Sequence, residues 1–549
     1  MMNAGFSINV SQDNTKIESF ISKDFDNFHF KSEEIEILFE GVIFNKKQLI
    51  NSFSAKDFHQ LVLDLYKRQK GNFISNFEGE FRGFLWDKLE NKLFVYTNQT
   101  ATQRVFYYKD DNVILIDTSL IRLNNSLKAK NIKRKANIQA LYELLTFKVM
   151  LNNKTAIENV FKIPDGSFLE ISNNNLLIRS YYNLNEVEIF KKSKNDAYRE
   201  VHEIFSEAIR SEYEKDDELN SEHFSNLSGG LDCRISMFYA IQQGYAPDRV
   251  FCFSEKNYAD EVISKQIAAD YKIPYHVVDF DNFDFIKNVD ELTSISEGTS
   301  FFLGAIHAEH AYTKLNLEKV KLVHTGQIGG AILGSFNKKS NDIEENLPLL
   351  YTNYSLFSKI EKEFEEISKK YSGYNIFMLE NYGFGYTVIG SQVINRFAYQ
   401  ASGFMNPDFM KLVASLPHEW KYYSKFYIEW INTYCKEATK YKWERTFMKP
   451  DATWKTLFGD HVIRRGKNLF YNKLLNKGHK FSMVPYDYYY YSRQELQNYY
   501  QNYFSMNIDK VDKYPDLKKE VETLFMSTDF SHKALSINVL AIFKLFFDE

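Results

Sequence analysis

The first 185 residues alternate short apolar runs with polar turns. Five of these runs are rich in β-branched and aromatic residues: EILFEGVIF (36–44), FRGFLW (81–86), KLFVYT (92–97), RVFYY (104–108) and NVILID (112–117). Two other segments, 57–69 and 137–150, place apolar residues at the spacing of an amphipathic helix. The pattern predicts a strand-rich domain in which sheets and helices pack in layers.

From about residue 195 the pattern changes to helices alternating with strands. The predicted helices are 195–213, 232–243 and 260–271, and the predicted strands are 223–228, 249–254 and 274–280. Such alternation predicts a doubly wound parallel sheet. After about residue 335 the pattern is mostly helical, as in an extension of that domain. We therefore expect two domains of the α/β class, 1–190 and 191–549.

Composition narrows the classes of partner. The chain is 44% hydrophobic and 26% charged, as globular proteins are, and its net charge is −4. A net negative charge argues against a general nucleic-acid binder, which needs a cationic face. The cysteines Cys233, Cys252 and Cys435 have neither metal-ligand nor disulfide-framework spacing. No apolar run reaches the length of a membrane span, and no signal-peptide core precedes residue 30, so we expect a cytoplasmic protein without a membrane partner.

The segment SNLSGGLDCRISMFYA (225–240) is the strongest candidate for chemistry. Two glycines let a ligand approach the backbone closely, and a helix that starts beyond them offers unpaired N–H groups and its positive dipole end. Ligands of parallel α/β sheets bind beyond the carboxyl ends of strands, where this loop lies. The loop therefore predicts an anion site, with phosphate as the first ligand to consider.

This loop, LSGGLDCR (227–234), resembles the SGGxDS pyrophosphate loop of the ATP pyrophosphatase superfamily. The chain as a whole resembles the asparagine synthetase family, which includes β-lactam synthetases and lasso-peptide cyclases. Colinear similarity runs from about residue 35 to 420, through FEGVIFN (39–45), FEGEFRGFLWDKLENKLFVYTNQTATQRVFYY (77–108), TAIENVFKIPDGSFLEI (155–171), ADEVISKQIAADYKIPYHVV (259–278), KLVHTGQIGGAILGSF (321–336) and SGFMNPDFMKLVASLP (402–417). The resemblance implies an Ntn-hydrolase-like αββα N-terminal domain and an adenine nucleotide alpha hydrolase-like C-terminal domain.

The family's chemistry implies roles for particular residues. ATP activates a carboxylate as an acyl-adenylate, pyrophosphate leaves, and an amine attacks. The resemblance assigns ATP to Leu227, Ser228, Gly229, Gly230, Asp232, Cys233, Phe253 and Gly326. It makes Asp232 the ligand of Mg²⁺ on the leaving pyrophosphate and gives Gln327 and Lys449 catalytic roles. For Lys449, a solvated basic face stays the alternative interpretation.

Two departures from the family pattern change the expected activity. The classical N-terminal domain hydrolyses glutamine with a cysteine at position 2, whereas this chain has Met2 and no cysteine before Cys233. We therefore expect no glutaminase activity and a structural or docking role for this domain, as in β-lactam synthetases.

The second departure lies in GQIGGA (326–331), where the family has GEGADE. Gln327 replaces the first acid, and Gly330 and Ala331 replace the acidic pair. A site without the second carboxylate loses a Mg²⁺ ligand. Asp260, Glu261 and Glu297 are the sequence's candidates to compensate.

Together these patterns predict an ATP-dependent amide-forming ligase that takes a small-molecule or peptide carboxylate and ammonia or an amine. The alternative is a degenerate nucleotide-binding or scaffold protein, which GQIGGA favours and SGGLD disfavours. A glutamine-hydrolysing asparagine synthase ranks third. The oligomeric state stays open, with a homodimer as one option.

Overall fold

The computed structural model describes residues 4–11, 14–280, 283–464, 466 and 482–548. The chain divides into two compact units, one of residues 1–141 and 150–186 and the other of residues 142–149 and 187–549. The sequence predicts this division between residues 190 and 191. Met2 lies outside the described residues.

The N-terminal unit contains two antiparallel sheets. Its strands are β1 (Phe6–Ser11), β2 (Asn14–Ser19), β3 (Phe28–Lys31), β4 (Ile35–Ile43), β5 (Gly79–Asp87), β6 (Lys92–Thr97), β7 (Phe106–Lys109), β8 (Val113–Asp117), β9 (Val160–Lys162), β10 (Ser167–Ser172) and β11 (Asn175–Ser180). One sheet has the order β2-β1-β8-β7-β9, and the other has the order β11-β10-β6-β5-β4-β3. The helices are α1 (Lys46–Phe53), α2 (Phe58–Gln69), α3 (Leu120–Ala129) and α4 (Ile138–Phe147).

The alternation of side chains along β4 explains the layers. Ile37 and Phe39 pack with Leu61 and Leu65 of α2, whereas Leu38 faces the other sheet. Successive strand residues point to opposite faces, so a strand buried on both faces reads as a continuous apolar run. Helix α3 contacts β7 and β8, which belong to the sheet of order β2-β1-β8-β7-β9. The unit is therefore layered as helix, sheet, sheet and helix.

The predicted strands of this unit are confirmed, with small changes at their ends. The run at 104–108 begins as a strand only at Phe106. The helix predicted to reach residue 150 ends at Phe147, because Lys148 takes a positive φ of 66° that an α-helix does not accommodate. Strands β1, β2, β3, β9, β10 and β11 were not predicted. The polar, partly exposed β2 gives little apolar signal, and β3 and β9 are only four and three residues long.

The C-terminal unit contains a parallel sheet of order β14-β13-β12-β15-β16. Its strands are β12 (Phe224–Asn226), β13 (Arg249–Phe253), β14 (Tyr275–Val278), β15 (Leu322–His324) and β16 (Tyr399–Ala401), and its first helices are α5 (Lys194–Leu219), α6 (Asp232–Gln242), α7 (Ala259–Asp270), α8 (Val289–Ser296) and α9 (Leu303–Tyr312). The chain runs outward from β12 to β14 on one side and through β15 to β16 on the other. The predicted doubly wound sheet is confirmed, and its switch point lies between β12 and β15.

Helices dominate the rest of the unit, as the sequence predicts. The α-helices are Ile343–Asn346, Glu361–Ser368, Tyr374–Met378, Ile389–Ile394, Pro407–Ser415, His418–Lys421, Lys425–Tyr434, Lys436–Thr439, Thr453–Phe458, Tyr486–Ser492, Gln494–Asn507, Pro515–Met526 and Phe530–Phe546. The described residues also include the π-helical segments Ala331–Ser335, Leu379–Thr387 and Gly459–Arg464. Short 3₁₀ turns join these helices.

The helix Phe530–Phe546 packs most of its apolar residues inside the unit. Its Asn538 is fully buried and accepts a hydrogen bond from the backbone N–H of Phe302 through Oδ1 at 2.9 Å. The helix is therefore part of the interior of this unit. Within the described residues, no helix is both long and apolar enough to cross a membrane.

Candidate functional site

The glycine loop lies at the switch point of the parallel sheet. It joins the end of β12 to the start of α6 and borders a cavity of about 290 Å³. Asn226 and Thr325, at the carboxyl ends of the two strands that flank the switch point, both line this cavity. Helix α9 contributes His307 and Tyr312 to the lining. This position is where doubly wound sheets bind their ligands.

Internal acceptors already engage the two glycine N–H groups. Gly229 donates to Asp260 Oδ1 at 3.0 Å, and Gly230 donates to Ser228 Oγ at 3.1 Å. The donors left for a ligand are the first N–H groups of α6, which begins at Asp232, because the opening turn of a helix has no acceptors within the helix. The anion site is therefore the helix start more than the glycines themselves.

Three glycines here serve three different purposes. A Cβ on Gly229 would lie 2.9 Å from Cβ of Glu444, so this residue must be small for packing. A Cβ on Gly326 would lie 2.2 Å from the backbone nitrogen of Cys233, so only glycine lets that segment cross the start of α6. A Cβ on Gly230 would meet only Ser228 Oγ, at 3.1 Å, and this residue faces the cavity.

Both oxygens of Asp232 accept hydrogen bonds from the protein. Oδ1 accepts from the Tyr427 hydroxyl at 2.8 Å, and Oδ2 accepts from the Gly330 N–H at 2.7 Å. Burial raises the pKa of this half-buried carboxyl to about 6, although these two donors and the charge of Arg445 act in the opposite direction. The carboxylate is thus short of positive charge, and a cation in the cavity would supply it.

Two further acids, Asp260 and Glu444, contact the backbone of the glycine loop at Gly229. Burial raises the pKa of Asp260 to about 6, and burial together with the charge of Asp260 raises the pKa of Glu444 to about 8. The backbone N–H of Glu444 donates to the Gly229 carbonyl at 3.2 Å, and Glu444 Oε2 is buried with no hydrogen-bond partner in the part of the chain that the structure describes.

Arg234 is the cation that holds this region together. Its guanidinium is fully buried and donates to the carbonyls of Gly229 at 2.7 Å, Lys442 at 2.9 Å and Ala438 at 3.0 Å. Its charge also lowers the pKa values of Asp260 and Glu444 against the effect of burial. Sequence reasoning missed Arg234 and Glu444, although an arginine inside the apolar helix run RISMFYA was a usable signal.

The segment GQIGGA closes one side of the cavity through backbone contacts. Gln327 donates from Nε2 to the Thr387 carbonyl and accepts from Ser402 Oγ at its own carbonyl, at 3.1 Å. Buried Ile328 has a positive φ of 59°, which turns the chain so that the Gly330 N–H meets Asp232. A Cβ on Gly330 would lie 2.9 Å from Asp232 Oδ2.

The acids that could have replaced the missing pair lie in other places. Glu261 accepts from the Asn257 N–H at 2.6 Å at the start of α7, and Glu297 is the C-cap of α8. Neither lines the cavity, and Asp260 is engaged with the loop. Among the described residues, no group of three or more His, Cys, Asp or Glu is placed to hold a metal ion.

The remaining predicted site residues occupy different positions. Phe253, at the end of β13, lines the cavity, and its ring centroid lies 5.5 Å from that of His307. Leu227 is fully buried beneath the loop. Cys233 donates from Sγ to Asn226 Oδ1 at 3.1 Å, and burial raises its pKa to about 12, so the thiol is unreactive at neutral pH. Lys449 is exposed and lies outside the cavity lining.

His307 lines the cavity with an uncharged imidazole. Burial lowers its pKa to about 4, and its Nδ1 lies 3.1 Å from the Tyr486 hydroxyl. The imidazole is therefore uncharged at physiological pH.

Comparisons with known proteins define the class. Residues 26–182 match a protein family described as a glutamine amidotransferase domain. Two curated relatives from Bacillus subtilis (strain 168) are similar in sequence. "Asparagine synthetase [glutamine-hydrolyzing] 3" is 24% identical over 225 residues, which is 39% of this chain and 35% of that protein. "Asparagine synthetase [glutamine-hydrolyzing] 2" is 22% identical over 262 residues, which is 44% of this chain and 34% of that protein.

The N-terminal part of this α/β protein is thus similar to a glutamine amidotransferase domain. The chain is related to the asparagine synthetase family. Its alignments span about a third of the length of these two relatives.

Two solved structures overlap with half of the chain. The glutamine phosphoribosylpyrophosphate amidotransferase from B. subtilis, complexed with ADP and GMP, covers 50% of this chain and 59% of its own, with a TM-score of 0.22 and 8% identity. An allosteric regulatory enzyme of purine biosynthesis covers 50% and 74%, with a TM-score of 0.23 and 9% identity. The fold described above rests on the sheets of this chain alone.

Proposed function

We propose that the chain is an ATP-dependent ligase that forms amide (C–N) bonds without hydrolysing glutamine. A carboxylate is activated as an acyl-adenylate, and ammonia or an amine then attacks it. The observation that carries this proposal is the glycine loop at the switch point of a parallel sheet, where the start of α6 faces a cavity. The relationship to asparagine synthetases supports the reaction type.

The site fits the phosphates of a nucleotide. The unpaired N–H groups at the start of α6 and the helix dipole suit an anion, and Gly230 leaves room for its approach. Phe253 and the neutral His307 offer an uncharged wall for a base. In the proposed reaction Asp260 and Arg234 position the loop, because they hold the N–H and the carbonyl of Gly229.

The site also fits a Mg²⁺ ion that arrives with the nucleotide. Mg²⁺ is usually held by one or two carboxylates together with phosphate oxygens and water, so a single protein carboxylate is enough. Asp232 would be that ligand, since this residue lines the cavity and its burial disfavours an uncompensated negative charge. Bound Mg²⁺ would neutralise charge on the leaving pyrophosphate. Lys449 takes no part in the proposal, because it is exposed outside the cavity.

One observation favours a second candidate function, a nucleotide-binding or scaffold protein without ligase activity. The donors of both glycines and both oxygens of Asp232 are engaged inside the protein, and GQIGGA contributes no acid. A loop held in this way can bind a nucleotide and still lack the second carboxylate that the family uses.

Exchange between ATP and labelled pyrophosphate distinguishes the two functions. With Mg²⁺ and a panel of carboxylic acids, a ligase catalyses exchange, and added hydroxylamine traps the acyl group as a hydroxamate. Asp232→Asn should abolish both signals, whereas Asp408→Asn, an exposed change outside the cavity, should leave them intact. ATP binding in calorimetry without exchange for any acid would instead support the scaffold. Glutamate release from glutamine would revive the third alternative, a glutamine-hydrolysing synthase.

A further inference from the structure

A second cavity of about 490 Å³ lies in the C-terminal unit. Much of its wall is aromatic or apolar, with Phe336, Tyr351, Tyr374, Met378 and Tyr382 among its lining residues. Such a wall suits the body of an organic molecule and not a hydrated ion alone. The polar groups of the same lining show which charge that molecule carries.

Two lysines line the cavity without forming an ion pair to any described residue. Neither Lys148 nor Lys338 forms an ion pair with a described acid, and Lys148 Nζ lies 5.7 Å from the centroid of the Phe301 ring. Burial lowers the pKa of both ammonium groups. The charge of Asp529 opposes this effect only in part at Lys148, and the charges of Arg445 and Arg464 lower the pKa of Lys338 further. Half-buried cations of this kind are destabilising until an anion joins them.

The other ionisable groups of the lining are already engaged. Asp529 caps the helix Phe530–Phe546 by accepting from the Ser531 N–H at 2.8 Å. His532 Nε2 lies 2.9 Å from the Thr352 carbonyl, and its Nδ1 lies 3.0 Å from Ser527 Oγ. Two lysines against one aspartate leave the lining with a net positive charge.

Tyr382 adds a free polar group to this wall. Its hydroxyl is buried and has no hydrogen-bond partner among the described residues. A buried hydroxyl without a partner is destabilising by itself, so it marks a position where a ligand would complete the bonding.

We propose that this second cavity binds an organic anion with a flat apolar body, whose carboxylate or phosphate head lies between Lys148 and Lys338 and bonds the Tyr382 hydroxyl. The aromatic wall covers the body of the ligand, and the two ammonium groups recognise its charge. A neutral or cationic molecule would leave both lysines uncompensated.

The two cavities share structural segments. The chain passes from Ile328 in the first cavity to Phe336 in the second through the π-helix Ala331–Ser335. The π-helix Leu379–Thr387 likewise carries Tyr382 in the second cavity and Thr387 in the first. The bound anion therefore lies beside the proposed nucleotide site, but its binding needs no nucleotide, so the two proposals can fail separately.

Fluorine NMR titration of the full chain, without ATP or Mg²⁺, tests the proposal. The probes are 4-fluorophenylacetate, 4-fluorophenyl phosphate and the neutral isostere 4-fluorophenylacetamide. We expect at least one anion to bind about tenfold more tightly than the amide, a difference of about 1.4 kcal/mol. The tighter anion identifies the head group. Equal affinity for the amide and both anions would overturn the proposal, and so would no saturable anion binding up to about 10 mM.

Variants then locate the binding. Lys148→Met and Lys338→Met keep the side-chain length, and each should weaken anion binding about fivefold or more while leaving amide binding unchanged. Tyr382→Phe removes only the hydroxyl and should weaken anion binding a few-fold. Lys339→Met, at the exposed neighbouring lysine, is the matched control. Lysine variants that bind the anions as Lys339→Met does would refute the assignment, with circular dichroism showing that each variant is folded.

Discussion

At the scale of single residues, Asp232 combines a structural and a proposed chemical role. It fixes GQIGGA through Gly330 and the helix Lys425–Tyr434 through Tyr427, and its charge lies at the cavity. Because burial raises its pKa to about 6, the folded protein holds a proton on Asp232 more readily than the unfolded chain does between the ordinary value of 3.8 and about 6. A bound cation would reverse this preference and keep the carboxylate charged.

Removing the charge of Asp232 therefore distinguishes the Mg²⁺-dependent part of ATP binding from the part that needs no metal. We expect Asp232→Asn to weaken ATP binding about tenfold or more with Mg²⁺ and less than about twofold without it, since the N–H groups of α6 remain. Isothermal titration calorimetry in Mg²⁺ and in EDTA measures both. Asp408→Asn is the control for a change of charge outside the cavity. Identical Mg²⁺ dependence in Asp232→Asn and the unmodified protein would rule out a metal-binding role for this carboxylate.

His324 should give the C-terminal unit a stability that depends on pH. Its Nε2 lies 2.6 Å from Asp216 Oδ2 and its Nδ1 3.7 Å from Glu212 Oε2, and the ring stacks on Tyr213. The two acids raise the pKa of the imidazole to about 9 against the effect of burial. A histidine pKa raised in the folded state stabilises the fold fully below 6.5, and this stabilisation is lost as pH rises through about 9.

The change from 6.5 to about 9 corresponds to roughly 3 kcal/mol of unfolding free energy. We expect urea unfolding of the full chain to show a loss of this order between pH 6 and pH 9.5. His324→Gln should be less stable at pH 6 and should lack most of the decline, whereas His276→Gln, at an exposed position, should retain it. A decline of equal size in His324→Gln would assign the pH dependence to other groups.

At the scale of elements, the close packing of the segment after β15 against the start of α6 depends on Gly326. A Cβ there would overlap the backbone of Asp232 and Cys233, at 2.3 Å and 2.2 Å. We expect Gly326→Ala to lower the free energy of unfolding by about 1–3 kcal/mol, as overpacking of a close-packed site does, and to weaken ATP binding. Gly390→Ala lines the same cavity with nothing within 4 Å of the new Cβ, so it should be neutral or slightly stabilising. Equal stability of the two variants in urea would show that the backbone around residue 326 can shift to accommodate a Cβ.

Gly330 tests whether GQIGGA is a damaged metal site or a different arrangement. An aspartate at this position would begin 2.9 Å from Asp232 Oδ2, so its charge would face an acid that already lacks compensation. We expect Gly330→Asp to reduce pyrophosphate exchange below the level of Gly330→Asn, which has the same shape without the charge. The measurement is the exchange rate of both variants across Mg²⁺ concentrations. Exchange about tenfold above that of the unmodified protein would mean that a regained carboxylate improves the metal site.

Local pattern predicted the elements well, because alternation and helical spacing depend on nearby residues. The loop, the strands β12–β14 and the helices around them lie close to their predicted bounds. The support of the loop could not be predicted in this way. Tyr427 and Glu444 reach it from helices and turns about 200 residues further along the chain, and their sequence neighbours give no sign of that contact. The pairing of His324 with Asp216 likewise depends on how α5 packs beneath the sheet.

At the scale of the whole molecule, each unit has its own core. The N-terminal unit packs two sheets between two helix layers, and its core contains aromatic residues such as Phe39, Phe84 and Tyr96. Its residues 26–182 are similar to a glutamine amidotransferase domain, yet the first cysteine of the sequence is Cys233, in the other unit. Fold and reaction can separate in this way, because a domain fold does not by itself supply a nucleophile.

The positions of the cysteines predict that this chain does not hydrolyse glutamine. The glutaminase domains that the N-terminal sequence resembles use a cysteine thiolate. The three cysteines of this chain lie in the C-terminal unit, and burial raises the pKa of each to about 12. A thiol with such a pKa is almost entirely protonated at neutral pH and is a poor nucleophile. We therefore expect no glutamate from glutamine above a heat-killed control, with or without ATP and Mg²⁺, under conditions where a known glutaminase gives a clear signal.

Glutamate formation that increases with the amount of protein would contradict the prediction, and repeating the assay with Cys233→Ser would then show whether that thiol is responsible. If the chain is the proposed ligase, ammonium ions should support product formation where glutamine does not.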